Sequence, residues 1–177
     1  VRHVVRAMAS GLLVLGACGG DPPRPLAMVG DSAVGCLEIG ATREAVERAC
    51  GPVTDTTIHL EGMAQEAAWV RVGQRRALAE IADGAVWRIQ VVDPVLATAD
   101  SIRVGTAARR LATLPGVRVL RGEGTFVGTD AHCGKSFQIR GLPPEPLEWS
   151  PANLAALPDS VRVVRILVFG RCGTPEM

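Results

Sequence analysis

Hydrophobic and polar positions alternate with a period of two along most of this chain, and change to helical spacing in a few short stretches. The clearest alternation is residues 85–92, Ala-Val-Trp-Arg-Ile-Gln-Val-Val. There Trp87, Ile89 and Val91 alternate with Val86, Arg88 and Gln90, which predicts a strand with one buried face. Ala82-Asp83-Gly84 before it is a tight-turn signal, and Asp93-Pro94 ends it. Residues 53–60, 67–72 and 75–81 predict three more strands upstream. Residues 117–120, 122–127, 136–140 and 161–169 predict four downstream.

Residues 36–52, Cys-Leu-Glu-Ile-Gly-Ala-Thr-Arg-Glu-Ala-Val-Glu-Arg-Ala-Cys-Gly-Pro, break the alternation. They predict a short strand, a glycine turn and a helix. Thr42 is the expected N-cap, since its hydroxyl can accept from an N–H of the first turn. Ala45, Val46 and Ala49 form the apolar stripe, and Glu44 and Arg48 are spaced as an i,i+4 pair. Gly51 suits the left-handed residue after the helix, and Pro52 prevents continuation.

A weaker copy lies farther along. Val104-Gly105 answers Ile39-Gly40, Thr106 stands one place off Thr42, and Leu111 and Gly116 answer Val46 and Gly51. This copy predicts a helix over 106–114. Residues 136–140 then answer 78–82, and 161–169 answer 85–92, so the elements recur in the same order. The fold class expected is α+β, with two tandem repeats, residues 36–94 and 95–177. Each is a short helix packed on an antiparallel sheet meander. The second repeat carries an insertion, 142–159, with a short helix over 150–157, Ser150 at the N-cap and Pro151 at N1. Trp149, Leu154 and Leu157 in this excursion are candidate partner contacts, with folding of Trp149 back onto the sheet as the alternative.

Residues 1–17 place Arg2 and Arg6 before the apolar run 7–15 and then small residues. That is the layout of a secretory signal, and the run is too short to span a bilayer permanently. Residues 18–35, with Gly19-Gly20 and then Asp21-Pro22-Pro23-Arg24-Pro25, predict a tether. Leu15-Gly16-Ala17-Cys18 resembles the lipobox of bacterial lipoproteins. The resemblance implies cleavage before Cys18, a lipid on its sulfur, and an anchor on the periplasmic side of the envelope. Gly19, where some inner-membrane lipoproteins have Asp, implies the outer membrane. The alternative is an ordinary secretory signal cut near Ala17.

Composition sharpens the picture in two ways. Hydrophobic residues make up 47% of the chain, with three Phe, three Trp and no Tyr, so Ala, Val and Leu must do most of the packing. The formal charge is +1, and losing Arg2 and Arg6 with the leader makes it −1. Such a balance offers no electrostatic footprint for nucleic acid.

Past Cys18 the chain holds Cys36, Cys50, Cys133 and Cys172. An even count in an exported chain favours disulfides, with three connectivities. Cys36–Cys50 and Cys133–Cys172 are preferred. The first pair brackets the strand-turn-helix unit and closes a loop worth about 3 kcal/mol in the chain-entropy model. The second follows from an assumed antiparallel register with Ile139 opposite Ile166, which sets Cys133 opposite Cys172.

The phrase Ile39-Gly40-x-Thr42, with Val46, Gly51 and Pro52, and its copy Val104, Gly105, Thr106, Leu111 and Gly116, resembles a known fold. It is shared by beta-lactamase inhibitor protein and the small outer-membrane lipoprotein of the barrel-assembly machinery. The resemblance implies helices against an antiparallel sheet. Each repeat here shows one helix where that family often has two.

Candidate chemistry is sparse. Ser32 in Gly30-Asp31-Ser32-Ala33, with His59 or His132, is the one nucleophile-and-base set to consider. Asp130-Ala131-His132-Cys133 could hold a metal, against the simpler reading of a loop histidine beside a disulfide. Glu61, Glu66 and Glu80 form no acid–base couple by spacing, and no phosphate-binding loop or cofactor motif is present. The expectation is a non-enzymatic cell-envelope lipoprotein, without cofactor or metal. It would be anchored to the membrane through Cys18 and would bind another envelope protein. The alternatives are a periplasmic hydrolase using Ser32 or a histidine, and a module for a small apolar ligand or lipid.

Overall fold

The computed structural model describes residues 28–60, 62–122, 124–142 and 150–170. The signal segment 1–17, Cys18, Trp149 and Cys172 lie outside these residues. The chain is mainly β-sheet with a few short helices. The strands are β1 (Ala33–Val34), β2 (Leu37–Glu38), β3 (Thr54–Leu60), β4 (Met63–Val72), β5 (Arg75–Ala82), β6 (Ala85–Val91), β7 (Arg118–Gly122), β8 (Gly124–Gly128), β9 (Lys135–Arg140) and β10 (Arg162–Val168). The helices are α1 (Arg43–Cys50) and α2 (Pro151–Ala155), with 3-10 turns at Ala108–Thr113 and Asp130–His132. β1 and β2 form a small hairpin. The other eight strands make one antiparallel sheet in the order β3-β4-β5-β6-β10-β9-β8-β7. Each half of the chain supplies a four-strand meander, and the two meet along their last strands, β6 and β10.

Helices and core share one side of this sheet. Val46 of α1, Ala108 and Leu111 of the 3-10 turn, and Leu154 and Leu157 at α2 pack with Val70, Ile89, Phe137, Ile139 and Ile166 in one apolar cluster. Among the described residues Phe137 is the largest fully buried side chain. Small β-branched and aliphatic residues fill the rest, as the scarcity of aromatics requires.

The first corner forms as its residues dictate. Thr42 Oγ1 accepts from Ala45 N–H at 3.4 Å, and Gly51 takes φ 89° after the helix. Cys36 and Cys50 are bonded, with Cα atoms 5.5 Å apart. The expected Glu44–Arg48 pair is replaced: Arg48 Nε donates to the Glu44 backbone carbonyl, while Arg43 pairs with Glu47 at 3.3 Å and with Asp55. Of the expected stripe only Val46 is buried, and Ala49 is exposed.

Four expectations need correction. The second helix is a 3-10 turn, not an α-helix over 106–114. Thr106 Oγ1 accepts from Arg103 N–H inside the preceding turn, so Ala107 begins the element without a side-chain cap. Pro115 then holds Leu114 extended, at ψ 145°. Residues 28–35 are not tether: Val29 and Val34 are 2% and 0% exposed, and Met28 bridges to Ala97. Leu154 and Leu157 are buried in the core and unavailable as partner contacts. Finally, Ile166 sits opposite Phe137, and a bulge between Val163 and Arg165 puts Val163 opposite Ile139. A two-residue slip keeps every side chain on its own face, so alternation alone cannot detect it. The assumed juxtaposition of Cys133 with Cys172 does not follow from this register. Cys133 is disulfide-bonded, and a Cys133–Cys172 pairing lies outside the described residues.

Candidate functional site

The side of the sheet away from the helices carries an unexpected polar centre. The register of β4, β5 and β6 sets Ala67 across from Glu80, Glu80 across from Arg88, and Leu78 across from Gln90. Directly paired residues share a face, so Glu80, Arg88 and Gln90 converge on this outer face. Arg88 Nε and Nη2 donate to the two Glu80 oxygens at 2.7 and 2.8 Å, and Gln90 Nε2 donates to Oε1 at 2.6 Å. Glu80 is fully buried. A buried carboxylate without partners would be strongly unfavourable, and three charge-assisted bonds answer that cost.

The turn between β5 and β6 makes this possible. Asp83 and Gly84 both take positive φ, 51° and 75°, the pattern of a tight two-residue hairpin loop. A bulge where Glu80 and Ile81 face Arg88 and Val86 then shifts the alternation. Val86 joins Ile89 and Val91 in the core, although alternation sets it against them. Trp87, expected on the buried face, is 38% exposed and lies 4.3 Å from the Arg88 guanidinium.

Arginine recurs on this face. Arg165 lies across from Gln138 on β9, and Phe126 of β8 faces Gln138 from the other side. Arg140 shares that face two residues on, and Leu120 of β7 lies across from Phe126. Burial pushes the half-buried Arg165 guanidinium below its ordinary pKa. Glu80 opposes this, and nearby Arg88 and Arg140 add to it. The guanidinium still carries its charge at neutral pH. At the other end Arg76 stacks over Trp69 at 5.4 Å. Beside them a shallow cavity of about 240 Å³ is lined by Trp69, Gln74, Arg75, Arg76, Val92 and Asp93. Among the described residues no helix covers this face, since α1, α2 and the 108–113 turn all pack in the opposite cluster.

The residues singled out from sequence do not gather here. Ser32 is exposed in the turn before β1, and among the described residues its hydroxyl has no hydrogen bond to His59 or His132. Its backbone carbonyl accepts from Ile39 N–H. His59 is an exposed residue of β3. His132 is buried, with Nε2 3.0 Å from Asp100 Oδ2 and its ring edge-on to Phe137. Thr98 Oγ1 donates to the other Asp100 oxygen at 2.6 Å. Burial acts to raise the Asp100 pKa, but hydrogen bonds from Thr98 and His132 outweigh it and hold the carboxyl below its ordinary value. Among the described residues no three His, Cys, Asp or Glu side chains are grouped as a metal site requires.

Asp31 of the Gly-Asp-Ser turn pairs with the buried Lys135, the chain's one lysine. Gly134 leaves room for that turn, since a Cβ there would lie 2.1 Å from the Asp31 carbonyl oxygen. Sequence reading missed both this pair and the Glu80 cluster. The turn at Asp83-Gly84 by itself would set Glu80 across from Trp87, and only the bulge brings Arg88 opposite it.

No protein-family model matches the chain, and no curated protein is significantly similar to it in sequence. Among solved structures it is similar in fold to the uncharacterized protein yfeY from Escherichia coli, with a TM-score of 0.57 and 19% identity. The match covers 80% of this chain and 99% of that one.

Proposed function

We propose that this chain is a non-enzymatic bacterial cell-envelope lipoprotein, lipidated on Cys18, that binds another envelope protein through the outer face of its sheet. The observation that carries the binding reading is that face itself. Tryptophan and arginine, the residues most enriched at binding hot spots, lie on a sheet surface that no helix among the described residues covers. The anchor rests on residues 1–18, whose basic, apolar and small segments end in Leu15-Gly16-Ala17-Cys18. The expected home is the periplasmic side of the envelope, at the outer membrane.

The tandem-repeat reading belongs to the same proposal. Gly40 and Gly105 both take positive φ, 84° and 92°. Gly40 N–H donates to Val86 O and Val86 N–H to Ala41 O. Gly105 N–H donates to Val163 O and Val163 N–H to Thr106 O. Each glycine corner is thus stitched to the last strand of its own meander by the same two bonds. Such a repeat builds a broad eight-stranded surface from two small units.

A photocrosslinker at Leu120, on the outer face, should capture a discrete envelope protein in intact cells. One at Arg110, on the helix side, should not. Equal or absent capture at both positions, from a sample in which palmitate labelling depends on Cys18, would refute the binding reading. A second reading, a periplasmic hydrolase, draws on the Asp100–His132 pair, which has the form of a base and its orienting carboxylate. Labelling of Ser32 by a serine-reactive probe would favour it.

A further inference from the structure

Charge on the outer face is out of balance at its centre. Glu80 is occupied by Arg88 and Gln90, yet two more guanidiniums, Arg165 and Arg140, share its face, and Arg165 feels the charges of Glu80, Arg88 and Arg140. Neither makes an ion pair among the described residues. Arg43, Arg109 and Arg118 pair with Asp55, Asp159 and Asp130, and the other arginines without a carboxylate among the described residues are exposed, unlike Arg165. Around the half-buried Arg165, one carboxylate, Glu80, is therefore set against two further guanidiniums, Arg88 and Arg140. Positive groups crowded in a partly desolvated setting repel one another, and an added anion relieves that repulsion.

The neighbouring positions describe what brings the anion. Arg165, Gln138 and Phe126 lie in line across β10, β9 and β8, and Leu120 of β7 continues the line. Leu120 is 56% exposed and, with the partly exposed Phe126 across from it, extends the apolar end of the patch. The patch thus runs from guanidinium through amide to aromatic and aliphatic surface. Guanidinium forks match carboxylates bidentately.

Deepening the protein-binding reading, and resting on it, we propose that this patch docks an acidic, partly apolar segment of a partner protein. Its Asp or Glu carboxylates seat on Arg165 and Arg140, and its apolar side chains cover Phe126 and Leu120. A nucleic acid or an anionic bilayer fits less well. Both are drawn by extended positive fields, whereas the whole chain carries a formal charge of only +1.

The test uses the full chain and fluorescently labelled peptides that alternate Glu with Leu, Gln with Leu, or Lys with Leu, followed by anisotropy. Phosphatidylglycerol vesicles and an oligothymidine strand serve as competitors. The Glu peptide should bind more tightly than the Gln peptide, and the Lys peptide not at all. Loss of one charge-assisted contact in Arg165→Gln or Arg140→Gln should weaken the Glu peptide about tenfold. Arg165→Lys, which keeps the charge if Arg165→Gln folds poorly, should retain part of the binding. Leu120→Ser should weaken the Glu and Gln peptides alike. Equal binding of Glu and Gln peptides, indifference to Arg140→Gln, or no peptide binding would overturn the acidic assignment. So would stronger capture of vesicles or oligothymidine. A Leu120 crosslink that survives Arg140→Gln unchanged would keep the partner while removing its acidic character. Loss of that crosslink in the unsubstituted chain would instead remove the partner reading.

Discussion

Replacing Arg88 by methionine should destabilise the fold by about 3 kcal/mol, the lower end of what breaking a buried pair costs. Glu80 is fully buried and accepts three bonds, two from Arg88 at 2.7 and 2.8 Å and one from Gln90 at 2.6 Å. The substitution leaves a dry carboxylate with Gln90 alone. The lower end applies because Arg165 stands near enough to supply some compensating charge. For a domain of ordinary stability this is a large fraction of the total. With a urea m-value of roughly 2 kcal/mol/M, the midpoint should fall by about 1.5 M, followed by circular dichroism. The double substitution Glu80→Met with Arg88→Met removes both charges and should return to within about 1 kcal/mol of the parent. If the single variant loses less than about 1 kcal/mol, or the double is no more stable than the single, Glu80 does not depend on Arg88 as described.

Three further expectations follow from other parts of the fold. Asp100 has a folded pKa below its unfolded value, so its contribution is complete above the unfolded pKa of about 3.9 and is lost as pH falls through the folded one. The stability gap between the parent and Asp100→Asn should therefore close on acidification, and parallel pH profiles would contradict that linkage. Replacing Cys36 and Cys50 together by serine opens a cross-link spanning 14 positions and should cost about 3 kcal/mol, read from thermal unfolding without reductant. Gly134→Ala drives a Cβ to 2.1 Å from the Asp31 carbonyl oxygen, and should cost on the order of 2 kcal/mol by overpacking. An unchanged unfolding midpoint for Gly134→Ala would show that the segment before β1 yields freely.

Much of the architecture was legible because it depends on local chemistry. Each strand of the large sheet lies within a few residues of the alternation that predicted it, from β3 at Thr54–Leu60 to β10 at Arg162–Val168. Thr42 and Ser150 cap as their hydroxyls allow, the latter accepting from Asn153 N–H at 3.1 Å. Cys36 and Cys50 bracket one strand-turn-helix unit, so their pairing needed no long-range information. The outer-face cluster was missed for a different reason. Glu80, Arg88 and Gln90 read as ordinary polar positions of half-exposed strands, and alternation sets Val86 beside Arg88 and Gln90. The bulge opposite Glu80 separates them, burying Val86 in the core and the polar set on the other side.

The sequence by itself determined the strands of the large sheet, the first helix and the first disulfide, because caps, turns and period-two alternation act over a few residues. Tertiary structure decided the rest. It chose the β9–β10 register, since slips by two leave the alternation intact. It drew residues 28–35 into the core through Val29, Val34 and the Asp31–Lys135 pair, none of which composition could foresee. It joined β6 to β10, and thereby brought Arg165 beside a carboxylate 85 positions earlier in the chain, Glu80. Charges so far apart in sequence meet only when strand order is settled, and strand order follows from how the two meanders bury their shared core.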